Sequence, residues 1–396
     1  MDRLLPPEET VDRLRPILPR CGVTRVADIT GLDCLGIPVV TVIRPNARSL
    51  SVAQGKGLTL AAALASGMME AIETWHAEQF DGPLRFASAR QLRQRLPLAE
   101  VDRLPRAATS PYHDDLCLLW TEGEELLSGE PRWVPYEMVH CNYTVATWPG
   151  QGCFAASSNG LAAGNSLLEA TLHALYELVE RDAATLWHLA SAAEQAASRV
   201  DLSTVDDPSC RQVLDRFAAA GLLVGIWELT SDVGLPVFLC HLTTRAPDPA
   251  RPLPVGAGQG CHTRREIALL RALTEAAQSR LTVIAGTRDD LFVDDYASLT
   301  ESTALAAHRA FLAQQPAERP FTAAPTYDFP TFTADLQFVC DRLQAAGIRE
   351  IIRVDLTRPE IGVPVVRVIV PGLEWEDEPP GSIQLGERAR ARRGEQ

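Results

Sequence analysis

The sequence predicts a mixed α/β fold of the α+β kind, one large domain built from pseudo-repeated strand–helix units. Two observations predict it. Strand-like and helix-like runs alternate along the chain, yet without the even spacing of a parallel βαβ series. Three glycine-led stretches also echo one another, each a short small-residue run followed by a long helical pattern. At 396 residues, with 46% hydrophobic and 22% charged side chains, the chain can bury a sizeable core.

Taken in order, residues 1–20 read as a short helix ending in a proline-rich loop. Residues 22–43 read as two β-rich runs around a turn, and 45–57 (PNARSLSVAQGKG) as loop and short strand. A long helix is expected over 58–79. Residues 82–110 carry basic helical and loop signals, and 117–158 are strand-rich, with Trp120, Trp133 and Tyr143. Helices are expected over 165–190, 208–220, 263–285 and 334–346, and strands over 222–243, 349–355 and 364–370. A proline-rich connection fills 315–335. The domain reading is a lead-in at 1–21, one domain over 22–373 and a tail at 374–396.

Charge and cysteine content exclude several classes. A net charge of −14 argues against a nucleic-acid or membrane-surface partner. The opening MDRLLPPEETVDRL lacks an apolar signal core, and no run approaches the roughly 18 apolar residues of a membrane helix. The expectation is a cytoplasmic protein. Nine dispersed cysteines without a CxxC pair argue against a disulfide framework and a structural zinc site. They read as small buried apolar residues, with Cys153 and Cys261, each after a glycine, the two to examine as reactive thiols.

The most specific stretch is GLAAGNSLLEATLHALYELVERDA, residues 160–183. At about 100° per residue, with Glu169 at zero, His173 lies at about 40°, Glu177 at about 80°, Glu180 at about 20° and Asn165 at about −40°. Leu168, Leu172, Leu175 and Val179 cluster on the other side, between about −60° and −120°, so the helix reads as amphipathic. Like charges three or four apart repel by a few tenths of a kcal/mol. Either this is a solvated face with uncompensated repulsion, or a cation sits among the carboxylates, and a hard ion such as Mg²⁺ suits such oxygen ligands. The echo extends the pattern. Glu70 and Glu73 fall 13 and 16 residues after Gly57, as Glu177 and Glu180 do after Gly164, and Ser66 and His173 both fall nine after. Glu275 and Gln278, 15 and 18 after Gly260, repeat the theme with an offset. If the three helices converge, Glu70, Glu73, Glu169, Glu177, Glu180 and Glu275 face one cavity. Carboxylates at that density need metal ions, and metals of that kind suit nucleotide phosphates. Arg271, Arg181 and Lys56 lie beside them; the GKG at 55–57 is not a Walker A motif. The ordinary alternative for each arginine is a helix-surface ion pair, and for His173 and His262 a packed, hydrogen-bonded ring.

SVAQGKGLTLAAALASGMMEAIETWHAE, SSNGLAAGNSLLEATLHALYELVERDA and GCHTRREIALLRALTEAAQSRL resemble the YcaO family over roughly residues 22–373. The resemblance implies a YcaO-type domain that uses ATP and Mg²⁺ to phosphorylate a peptide backbone amide oxygen, after which a nucleophile attacks the carbon and phosphate leaves. It implies that Glu70, Glu73, Glu169, Glu177, Glu180 and Glu275 bind metal. It places Lys56, Ser66, Asn165, Arg181, Arg271 and Glu275 at the nucleotide, and Glu177, Glu180 and Arg271 at the chemistry.

TGLDCLGIPVVTVIRPNARSLSVAQGKG and RREIALLRALTEAAQSRLTVIAGTRDD resemble the type that works with a TfuA partner. That type implies thioamide formation in a ribosomal peptide or protein, with a separate sulfur donor and a homodimer. The ending PPGSIQLGERARARRGEQ, with prolines only at 379 and 380, departs from the proline-rich terminus of azoline-forming members, and no fused leader-binding domain is evident. The competing expectations are an azoline-forming cyclodehydratase acting on Cys, Ser or Thr, and a non-catalytic nucleotide-binding scaffold.

Overall fold

The computed structural model describes residues 3–144, 150–246, 253–314, 317–375 and 381–394. Pro7 opens α1 (Pro7–Leu14), its missing N–H costing nothing at a first helical turn. β1 (Arg25–Asp28), β2 (Val39–Ile43) and β3 (Val52–Lys56) form an antiparallel sheet in the order β1-β2-β3. The helix expected at 58–79 is α2 (Leu60–Glu78). The 82–110 region holds β4 (Arg85–Ser88), α3 (Ala89–Leu92), a single turn closed by a Ser88–Gln91 capping box, and a 3-10 turn at Val101–Arg103. Among the described residues of 117–158 the strands are β5 (Cys117–Glu125) and β6 (Pro131–Pro135). β7 (Leu161–Ala163) leads into α4 (Leu167–His188), whose N-cap Ser166 accepts from Glu169 N at 3.1 Å.

Then come α5 (Ala192–Ala197), β8 (Val200–Asp201), α6 (Pro208–Ala219), β9 (Leu222–Glu228), β10 (Val237–Thr244), β11 (Gly256–Cys261) and α7 (Arg265–Ala285). The sequence reading missed α8 (Val293–Leu299) and α9 (Ser302–Gln314). β12 (Arg319–Pro320), α10 (Phe332–Ala345), β13 (Ile352–Asp355), β14 (Val365–Ile369) and α11 (Glu387–Arg393) complete the order. Pro379 and Pro380 lie outside the described residues.

The chain divides into two compact units, and the division falls within α2. The first unit comprises residues 1–4, 72–189 and 329–396, and the second 5–71 and 190–328. The first is built on a six-stranded sheet of order β4-β5-β13-β14-β7, with β6 beside β5. Its core includes Trp120, Val134, Ile352, Val365 and Val366. The second carries the β1-β2-β3 sheet, a β11-β10-β9 sheet and the short β12-β8 pair. Its core gathers Phe217, Ile226, Phe238, Leu269, Leu273 and Phe321. A buried ion pair, Arg280 Nε to Asp33 Oδ2 at 2.8 Å, ties α7 to the turn after β1. Among the described residues no helix is long and apolar enough to cross a membrane.

The sequence echo is structural. β3–α2, β7–α4 and β11–α7 are each a strand running into a long helix. In the second unit the approach of helix to strand depends on glycine. A Cβ on Gly55 would lie 2.1 Å from Ala63 O and from Gly67 N of α2, and one on Gly258 2.3 Å from Ala276 N of α7. Only hydrogen at these positions lets backbone lie on backbone.

Candidate active site

One glutamate of each helix reaches back to its own strand or to the residue just before it. Gln54 N donates to Glu70 Oε1 at 3.4 Å, Gly160 N to Glu177 Oε2 at 3.2 Å, and Gln259 N to Glu275 Oε1 at 3.4 Å. The carboxylates are held by backbone N–H groups, which side-chain variation cannot remove.

In the first unit, α4 departs from the expected amphipathic helix. It is buried on nearly all sides, with His173, Glu177 and Arg181 as a half-buried stripe at i, i+4 and i+8. Glu169 is 4% and Glu180 3% exposed, so the solvated-face reading fails for both. The reason lies in partners distant in sequence. α4 packs on β14, β7, α10 and α11; Tyr176 Oη donates to Asp335 at 2.8 Å, and Arg388 holds Asp182 with two nitrogens, at 3.0 and 2.9 Å. Burial pushes the Asp182 carboxyl up against the opposing pull of Arg388. Asn165 is not on the helix. It precedes the cap, 8% exposed, in the turn from β7. Glu73 Oε2 accepts from Ala163 N at 2.9 Å. Arg181 lies 4.0 Å from Glu177, the ordinary i,i+4 pair on a helix. Glu169, expected as a metal ligand, accepts from Arg3 Nη1 at 3.2 Å and from Leu4 N at 3.1 Å, contacts that no sequence pattern announced.

In the second unit, Lys56 Nζ lies 2.7 Å from Glu275 Oε2, with the two side chains 25% and 29% exposed. Arg271 sits one turn before Glu275 on α7 and Ser66 one turn before Glu70 on α2, both half-buried. Gln54 was also missed. Its side chain accepts from Thr282 of α7 while its N–H holds Glu70. Arg288 is raised by its bond to Asp290, with the charges of Glu70 and Asp289 adding, so Glu70 has a cation within electrostatic reach.

The cysteines behave as expected: all nine are free, and seven are buried. Burial pushes the Cys153 thiol up to about 11, and Cys261 is fully buried, so neither is a poised nucleophile. His262 is a packed ring whose Nδ1 accepts from Arg264 N at 3.0 Å.

These residues fit a magnesium–nucleotide. The acidic groups offer only oxygen, which suits a hard ion, and Lys56 and Arg271 are cationic side chains beside Glu275. Among the described residues no three His, Cys, Asp or Glu side chains form a metal cage. In the second unit Gln54 Nε2, Gln259 Oε1 and Gln278 Oε1 are buried without hydrogen-bond partners. They are among several buried polar atoms of the described residues that water or a ligand can satisfy.

The profile of the family described as YcaO cyclodehydratase, ATP- and Mg²⁺-binding, matches residues 54–374. The chain belongs to the YcaO family. ATP and Mg²⁺ are this family's cofactors. A Rhizobium leguminosarum bv. trifolii protein from the tfuA 3′ region is 39% identical over 394 residues, 98% of this chain and 92% of that protein. The structure of a YcaO protein from Methanopyrus kandleri, bound with AMPPCP and Mg²⁺, has TM-score 0.73 at 24% identity, over 94% of this chain and 92% of that one. A heterocyclase in complex with substrate and cofactor has TM-score 0.74 at 24% identity, over 94% of this chain; the chain spans about half of it, 53%. Both likenesses confirm the mixed α/β YcaO fold.

Proposed function

We propose that this chain activates a backbone amide of a ribosomally made peptide or of a protein with ATP and Mg²⁺, and that sulfide then replaces the amide oxygen to give a thioamide. The observation that carries this product is the 39% identity, along 98% of the chain, to a protein from a tfuA 3′ region. A TfuA-like protein is accordingly the proposed partner, with a separate sulfur donor and a homodimeric assembly.

An amide carbon is a poor electrophile and its oxygen a poor leaving group. Transfer of the γ-phosphoryl to that oxygen cures both, releasing ADP as the amide nitrogen gives up its proton. Hydrosulfide adds to the carbon, the C–O bond breaks, phosphate departs with the oxygen, and the sulfur's proton passes to nitrogen. Bound Mg²⁺ supplies charge neutralisation at the phosphates. Glu70, Glu73, Glu169, Glu177, Glu180 and Glu275 would be its oxygen ligands. Lys56, Ser66, Asn165, Arg181, Arg271 and Glu275 would bind the nucleotide. Glu177, Glu180 and Arg271 would act at the reacting phosphoryl group, where fixed charge counts most.

The second reading is azoline formation, favoured by the cyclodehydratase description of the matched family. The test is mass spectrometry of a candidate peptide after incubation with this protein, the TfuA-like protein, Mg²⁺, ATP and sulfide. A gain equal to exchange of one oxygen for sulfur supports the thioamide. Loss of one water transfers the reading to the azoline, and ATP-independent silence sinks both.

A further inference from the structure

Glu169 is a buried carboxylate whose partners are not buried. The side chain is 4% exposed and sits in the first turn of α4, where a negative charge faces the helix's positive end. Both of its oxygens are engaged by one short stretch, Oε1 by the Arg3 guanidinium at 3.2 Å and Oε2 by Leu4 N at 3.1 Å. Arg3 is 53% exposed and Leu4 45%. A buried anion without a partner is costly, so something must hold it. Arg3 stays half-solvated on the segment ahead of α1, so its release returns the guanidinium to water with little desolvation to undo, and a divalent ion can then take over the buried carboxylate.

We propose that residues 3 and 4 are an intramolecular stand-in for a cation at Glu169: the Arg3 guanidinium and the Leu4 N–H satisfy the carboxylate while it is free of metal, and they leave it when a divalent ion takes their place. Binding of Mg²⁺ with nucleotide is thereby coupled to release of the segment ahead of α1. The proposal rests on the reading of Glu169 as a metal ligand.

The test uses the full chain and Arg3→Met, which keeps length and removes charge. Mg²⁺ with a non-hydrolysable ATP analogue is titrated calorimetrically into each. Arg3→Met should bind about two- to fivefold more tightly, the equivalent of one exposed ion pair. Trypsin supplies a second readout in the wild type: cleavage after Arg3 should accelerate when Mg²⁺ and the analogue are present. Equal affinities together with unchanged cleavage overturn this proposal alone. Absence of Mg²⁺-dependent nucleotide binding in both proteins overturns the functional reading and this proposal with it.

Discussion

The ammonium of Lys56, at the end of β3, lies 2.7 Å from a carboxylate oxygen of Glu275 on α7, while the other oxygen of that carboxylate accepts from Gln259 N. A lysine and a glutamate both quarter-exposed stabilise a fold little. Their value is in what each does when a phosphate arrives. Lys56→Met should leave the melting temperature nearly unchanged and weaken Mg²⁺–nucleotide binding about tenfold or more, the scale of one charged hydrogen bond. Calorimetric titration beside a thermal melt checks both halves. A large drop in melting temperature with affinity intact would make the pair structural.

Glu177 and Glu180 should separate under substitution. Both are expected to lose at least about a hundredfold in turnover when neutralised, because preorganised charge is the main catalytic resource in phosphoryl transfer. Glu177→Ala also strips the acceptor from Gly160 N, which costs about 1–3 kcal/mol for a group held from water. Repulsion relieved in the empty site offsets only a few tenths of that. Glu177→Gln keeps an oxygen for Gly160 N and should melt near the wild type while remaining inactive. A stable, active Glu177→Gln would remove that carboxylate from the chemistry.

The long helices were legible because apolar periodicity over twenty residues is hard to mistake, and α2, α4 and α7 fell within a few residues of their expected bounds. The strand–helix echo was legible because Gly57, Gly164 and Gly260 punctuate it. The surroundings of α4 were not. Its burial depends on Asp335, Arg388 and the sheet edge, residues far off in sequence, and helical angles alone assign a face without saying what covers it. The helices α8 and α9 were missed where the periodicity is weak and the flanks are rich in turn residues. Nor does any local pattern tell that Arg3 reaches Glu169, since the two are 166 residues apart.

The alternating glycines of β11, at 256, 258 and 260, make a sharp stability prediction. In Gly258→Ala the new Cβ meets Ala276 N at 2.3 Å and Ala272 O at 2.4 Å, both backbone, so strand and helix must separate. Overpacking of that kind costs about 1–3 kcal/mol or more, and the shift would draw Gln259 N from Glu275. Gly129 is the control. It has φ +74° and open space around a Cβ, so Gly129→Ala pays only the left-handed strain of about 1–2 kcal/mol. Chemical denaturation should rank Gly258→Ala as the less stable, and only that variant should also weaken nucleotide binding. The reverse ranking would mean β11 and α7 are not locked together by backbone contact.

His140 gives the pH dependence its sign. Burial, with the charge of Arg367 adding, pushes the ring down to about 4 from its ordinary 6.5. The geometry agrees: Nδ1 accepts from Asn142 N at 3.1 Å, and a proton there would break that bond. Between pH 6.5 and 4 the unfolded chain takes up a proton that the folded chain refuses, so the unfolded state binds more protons and stability rises with pH. The contribution is complete above 6.5 and is lost as pH falls, to a total of about 3 kcal/mol at 1.36 per unit. Burial lowers His76 as well, with the same sign. Carboxylates titrate at the acid end of this range, so the difference between wild type and His140→Gln isolates the ring. Urea midpoints at pH 7, 5.5 and 4.5 should converge as pH falls, the variant starting lower and losing less. Parallel curves would show that His140 is protonated in the folded chain as readily as in the unfolded one.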